Sequence, residues 1–129
     1  MPASLATVAL LVADYDAAIA FFCGSLGFTL RSDTDLGGGK RWIVVAPAGG
    51  GASLLLARAD GPAQLARIGD QTGGRVGFFL ETDDFARDHA AFLAAGVRFL
   101  EEPRHEPYGT VAVFLDLHGN RWDLIQPRP

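Results

Sequence analysis

Two stretches of the chain carry the same order of apolar and polar positions. Residues 8–30 read VALLVADYDAAIAFFCGSLGFTL, and residues 78–99 read FFLETDDFARDHAAFLAAGVRF. Each has an apolar run, an acidic helix start, an amphipathic segment, a glycine and a second apolar run. A shift of 70 residues lays Asp14 on Asp84, Tyr15 on Phe85, Ala20 on Ala90 and Phe22 on Phe92. Repetition of a whole supersecondary unit constrains the fold more than any single motif does.

Read in order, 5–12 is almost wholly apolar and predicts a central strand. Asp14 is suited to cap a helix whose apolar stripe is Ile19, Phe22, Cys23 and Leu26, at i, i+3, i+4 and i+7. Gly27 ends that helix. Strands follow at 28–32, 41–45 and 52–57, separated by the glycine runs 37–39 and 49–51. The polar stretch 60–72 reads as a connector with a short helix. The pattern then repeats: a strand at 75–82, a helix capped by Asp84 with Phe85, His89, Phe92 and Leu93 on its stripe, and a strand at 97–101. A long loop with Pro103 and Pro107 follows, then a hairpin of 111–115 and 121–125. The expected fold is α+β. Tandem βαβββ units, about 3–59 and 74–127 with a connector at 60–73, would build a curved mixed eight-stranded half-barrel cup with two long helices outside. The whole chain, 1–129, reads as one domain.

Composition narrows the functional classes. The net charge of −4 does not suit nucleic acid, which rewards clustered Lys and Arg. No apolar run approaches the roughly 20 residues that span a bilayer. The first residues lack the basic segment of a secretory signal, and Cys23 is the single cysteine, so a reducing cytoplasm is expected. No phosphate loop is present, since Gly39-Lys40 runs on into Arg41-Trp42, and no Gly-x-Ser-x-Gly elbow occurs. His89, His105 and His118 form no ligand pair by spacing.

The arrangement resembles the vicinal oxygen chelate superfamily of glyoxalases, bleomycin-resistance proteins and extradiol dioxygenases. The resemblance rests on Thr7-Val8-Ala9-Leu10 before Asp14, on Phe21-Phe22, and on Leu26-Gly27-Phe28. In the second half it rests on Asp83-Asp84, Ala95-Gly96-Val97, and the turn Asp116-Leu117-His118-Gly119-Asn120 leading into Trp122-Asp123-Leu124. It implies a cup between the halves. In metal-dependent members, His or Gln on the first strand of each unit and Glu on the last supply the ligands. Here those positions hold Thr7, Gly77, about Leu55, and Asp123. A divalent ion needs three or four protein groups, so no cofactor is expected and a metal is disfavoured.

Strand alternation then names the cup-facing groups. It gives Thr7, Arg75, Phe79, Arg121 and Asp123; with Leu55 at the position the resemblance implies, Trp42 and Phe114 as aromatic walls and Tyr108 from the long loop, these are the expected ligand contacts. Asp123 would need a cation if enclosed, with Arg75 or Arg121 as partner by parity. Gly77, at a histidine position, would leave room for an arginine head or a ligand. The competing reading of Asp123 is a structural ion pair or a solvated rim group. Glu81 is either a general base or a solvated strand end, and Tyr108 either closes over the cup or makes a surface or dimer contact. Asp123, Glu81 and Tyr108 are the catalytic candidates. The expected function is binding of a small, partly apolar or anionic ligand by a homodimer. The alternative is a lyase or dioxygenase acting on a small molecule, using a divalent metal or acid–base chemistry.

Overall fold

The structure is a computed structural model that describes residues 2–129. The chain forms two compact units, the first ending at Ile68 and the second running from Gly69 to Pro129. The first contains β1 (Thr7–Val12), α1 (Tyr15–Ile19), β2 (Thr29–Gly37), β3 (Lys40–Ala46), β4 (Ser53–Arg58) and α2 (Gly61–Leu65). The second contains β5 (Val76–Glu81), α3 (Phe85–Ala94), β6 (Arg104–Glu106), β7 (Gly109–Leu115) and β8 (Arg121–Pro127). The fold is α+β, and its eight strands form two four-stranded mixed sheets, ordered β1-β4-β3-β2 and β5-β8-β7-β6. In each, the first strand runs parallel to the last and the other pairs are antiparallel. The sequence repeat is thus a repeat of topology.

Both helix starts follow from their aspartates. Asp14 accepts the N–H of Ala17 at 2.8 Å, and Asp84 that of Arg87 at 3.1 Å. The first helix departs from the expected stripe. After α1 the segment Ala20–Ser25 is π-helical, and the Leu26 N–H reaches back to the Phe21 carbonyl at 3.1 Å. The wider turn keeps Tyr15, Ala18, Phe22 and Leu26 in the core. Ile19 and Cys23 lie half-buried instead.

Two strands also differ from expectation. β2 extends to Gly37, beyond 28–32. Its aspartates are tolerated because it is an edge strand, and Arg41 on β3 grips Asp33 through Nε at 3.1 Å and Nη2 at 2.7 Å. In the second unit 97–101 is not a full strand. Phe99 makes an isolated bridge to Phe114, and the short β6 forms at Arg104–Glu106, within the expected loop. The cause is local: Pro103 has no N–H to add to a ladder. The Glu101 carboxylate also takes the Val113 N–H at 2.9 Å, where a backbone carbonyl would otherwise sit.

The second unit's core is aromatic. Trp122 stacks on Phe78 at 4.6 Å and on Phe114 at 5.8 Å, and Phe92 of α3 meets Phe114 edge-on at 5.5 Å. The 116–120 turn closes this layer. Buried Asp116 accepts from the backbone N–H of His118 and Asn120, from Asn120 Nδ2 and from Trp122 Nε1, all at 3.0–3.1 Å. Asn120 Oδ1 in turn accepts the Gln71 N–H at 3.3 Å. Asp116→Ala strands several of these donors in the interior, at about 1–3 kcal/mol each. Urea denaturation should therefore show a loss of about 3 kcal/mol or more, with Asp116→Asn losing less.

Candidate functional site

The open face of the second sheet is set by register. Phe79 on β5, Asp123 on β8 and Val113 on β7 stand in one row, with Phe78, Trp122 and Phe114 beside them on the opposite, core side. Phe79 is 61% exposed, and Asp123 and Val113 are half-buried. Glu81 continues the Phe79 side of β5, opposite Ile125, and is exposed. In the first unit, Ala9, Leu55 and Val44 align across β1, β4 and β3, with Thr7 and Trp42 at the same parity. Thr7 is exposed, Trp42 is 47% exposed and Leu55 is half-buried, while Leu10, Leu56, Ile43 and Val45 fill the other face.

Phe114 does not belong with these groups. It is fully buried between Phe92, Phe99 and Trp122, so its expected place as a wall of a ligand site is corrected to the hydrophobic core. The reason is parity, since it pairs with Trp122 rather than with Asp123.

The expected arginine partners of Asp123 are also corrected. Arg75 is exposed and turns its Nε to its neighbour's carbonyl, that of Val76, at 3.3 Å. Arg121 is exposed and bonds no carboxylate among the described residues. The cation whose field reaches Asp123 is Arg104, which sequence reading left in a loop. Its Nε donates to Glu101 at 2.9 Å and its Nη1 to Glu106 at 2.9 Å, with Tyr108 as a further hydrogen-bond partner. These partners hold the guanidinium well above its usual range. The available sequence signal was spacing: Glu101, Arg104, Glu106 and Tyr108 lie within one short segment.

Arg104 is therefore already committed. Asp123 Oδ1 is closed off from solvent and receives no hydrogen bond, while its other oxygen is not closed off in this way. Burial raises the carboxyl's proton affinity. The Arg104 charge opposes this and the Glu101 charge adds to it, leaving the group above the ordinary carboxylate range.

The Gly77 position is not a vacancy. A Cβ there would collide with the Thr72 side chain, whose hydroxyl donates to the Arg75 carbonyl at 2.7 Å. Thr72 occupies the space that the sequence offered to an arginine or a ligand. Tyr108 is 54% exposed. His89 is packed between Phe85 and Phe99 at 5.3 and 4.5 Å, as a helix packing residue. Among the described residues no three His, Cys, Asp or Glu side chains converge as a metal-binding group. With Thr7, Leu55 and Gly77 at three of the four ligand positions, the residues present do not fit the superfamily's metal.

Proteins of known sequence and structure share this fold. Residues 4–124 match the model of the Glyoxalase/Bleomycin resistance protein/Dioxygenase superfamily, and the chain belongs to that family. It is 52% identical to an uncharacterized protein of Shewanella frigidimarina (strain NCIMB 400), over 98% of this chain and 95% of the relative. Among solved structures it is similar to UcmS2, with a TM-score of 0.83 and 31% identity over 97% of this chain and 98% of that one. It is similar as well to TnmS3, an antibiotic binding protein from Streptomyces sp. CB03234. The TM-score there is 0.78, with 31% identity over 99% of this chain and 98% of that one.

The raised Asp123 fixes the sign of a pH effect. The folded protein holds this proton more tightly than the unfolded chain does, so the carboxyl detracts from stability as pH rises through its folded value. Asp123→Asn should raise the melting temperature at neutral pH and give little gain near pH 3, where the carboxyl is protonated in both states. Calorimetry of both proteins across pH checks this. A variant less stable at neutral pH would show that the carboxylate is compensated after all.

Proposed function

We propose that this protein binds a small molecule without a resident metal, as a sequestering member of its family. One observation carries the reading: a half-buried carboxyl, unbonded at Oδ1, stands in a row with the exposed ring of Phe79. Small-molecule sites combine apolar walls with a few placed polar groups, and this face offers an apolar ring beside a carboxyl. The likeness to TnmS3, an antibiotic binding protein, along nearly its whole length supports the same class. Contacts are assigned to Phe79, Tyr108 and Asp123 on the second unit; Thr7, Trp42 and Leu55 form a separate open row on the first. The chain is read as one domain of a cytoplasmic protein.

The second reading is acid–base catalysis on a small molecule. It is favoured by Asp123, whose raised proton affinity makes it a better base than an ordinary carboxylate, with Tyr108 or Glu81 as further candidates.

Mass spectrometry of native protein purified without chelator is expected to find a small organic molecule at near-stoichiometric level and no stoichiometric divalent ion. Stoichiometric metal, with binding lost on stripping, overturns the sequestering reading. Turnover of the bound molecule in solution moves the assignment to the enzyme.

We also propose a homodimer, supported by the family resemblance and by the sheet edges that an eight-stranded chain leaves open. Light scattering at micromolar concentration should give about twice the chain mass of 13.7 kDa. A value at the chain mass refutes it.

A further inference from the structure

Resting on that ligand-binding reading, we infer that the face around Asp123 takes a cationic or N–H-donating group and discriminates against anions. The sequence left an anionic ligand open because it expected a free arginine beside Asp123. The structure removes that arginine. Arg104 is the cation that Asp123 senses, and both Glu101 and Glu106 are bonded to it at 2.9 Å. Glu101 is further fixed by the Val113 N–H at 2.9 Å, so the array does not open without breaking a strand contact.

The array holds two carboxylates to one guanidinium, and Asp123 adds a third acidic group beside it. An arriving anion would have to compete with Glu101 and Glu106 for Arg104 and would meet like charge at Asp123. An ammonium or amide N–H meets the reverse. It donates to the Asp123 oxygen that is not closed off, and its charge or dipole offsets the desolvation of the carboxylate as a whole.

The other charged groups on this face do not alter the sign. Glu81, beside Ile125, is a further acid; Arg121, exposed at the start of β8 two residues before Asp123, is a second cation, and Glu101, Glu106, Glu81 and Asp123 still outnumber it and Arg104. The ring of Phe79, in register with Asp123 and 61% exposed, offers a flat apolar surface next to the carboxyl. The ligand class is therefore an aromatic or apolar body carrying an amine or amide donor.

Benzylamine and benzoate are a matched pair of probes with one ring and opposite charge. Each is titrated into isotope-labelled protein at pH 7.5, following the backbone amides of Phe79, Val113 and Asp123. Benzylammonium is expected to shift these amides and to bind about tenfold more tightly than benzoate, a difference of the size one partly solvated charge contact produces. Asp123→Asn should remove that preference by weakening benzylammonium alone.

Benzoate binding as tightly as the amine on this face overturns the inference. So does an unchanged preference in Asp123→Asn, or a failure of both probes to move the three amides. The wild-type comparison needs no variant and stands even if the substitution disturbs folding. If a co-purifying molecule is found while the probes show no preference for the amine, the ligand class falls and the binding function survives. If neither a co-purifying molecule nor either probe binds, both fall.

Discussion

The placement of Asp123 depends on Trp122. That indole is buried, stacked between Phe78 and Phe114, with its Nε1 bonded to Asp116. Successive residues of a strand point to opposite faces, so anchoring Trp122 in the core turns Asp123 to the open side of β8. A slip of one residue would expose the tryptophan and bury the carboxylate, and each change is unfavourable. The Asp116 turn sets the register at which this decision is made, and Phe79 and Val113 fall into line with Asp123 because their strands pair with β8.

The fold was legible because its signals are local and occur twice. Asp14 and Asp84 cap helices wherever they stand, and alternation fixes a strand's faces without reference to anything distant. The sequence lost accuracy where one side chain replaces a backbone partner. Glu101 takes the Val113 N–H, and no hydropathy pattern records that a carboxylate will stand in for a carbonyl. The π-helical turn at Ala20–Ser25 escaped for a similar reason. Its apolar residues suit an α-helical stripe as well, and only the packing of Phe22 and Leu26 separates the two.

The strand row that holds Asp123 was legible in the sequence, and its electrostatic surroundings were not. Parity identifies Asp123 and Phe79 as neighbours but is silent on which arginine approaches, because long side chains reach beyond their own register. Arg121 shares the face of Asp123 and projects to solvent, while Arg104 comes from an irregular segment and brings its own carboxylates. Gly77 shows the complementary limit. A missing side chain reads as space in sequence, and in the folded chain Thr72 fills it. Phe114 was named as a wall for its aromatic bulk, and the register puts it one step from Val113, on the core side with Trp122.

Strand β2 lies at the edge of its sheet, nine residues long and almost wholly exposed. An edge of that length could template addition of an unrelated chain and so begin aggregation. Arg31, Asp33 and Asp35 lie along it, and its pairing with β3 is broken by register shifts on either side of the central stretch. A foreign strand would have to desolvate these charges and match an irregular spacing. The fork of Arg41 on Asp33 thus has a second effect beyond holding β2 to β3: it keeps a charge fixed where a growing fibril would need a flat apolar ladder.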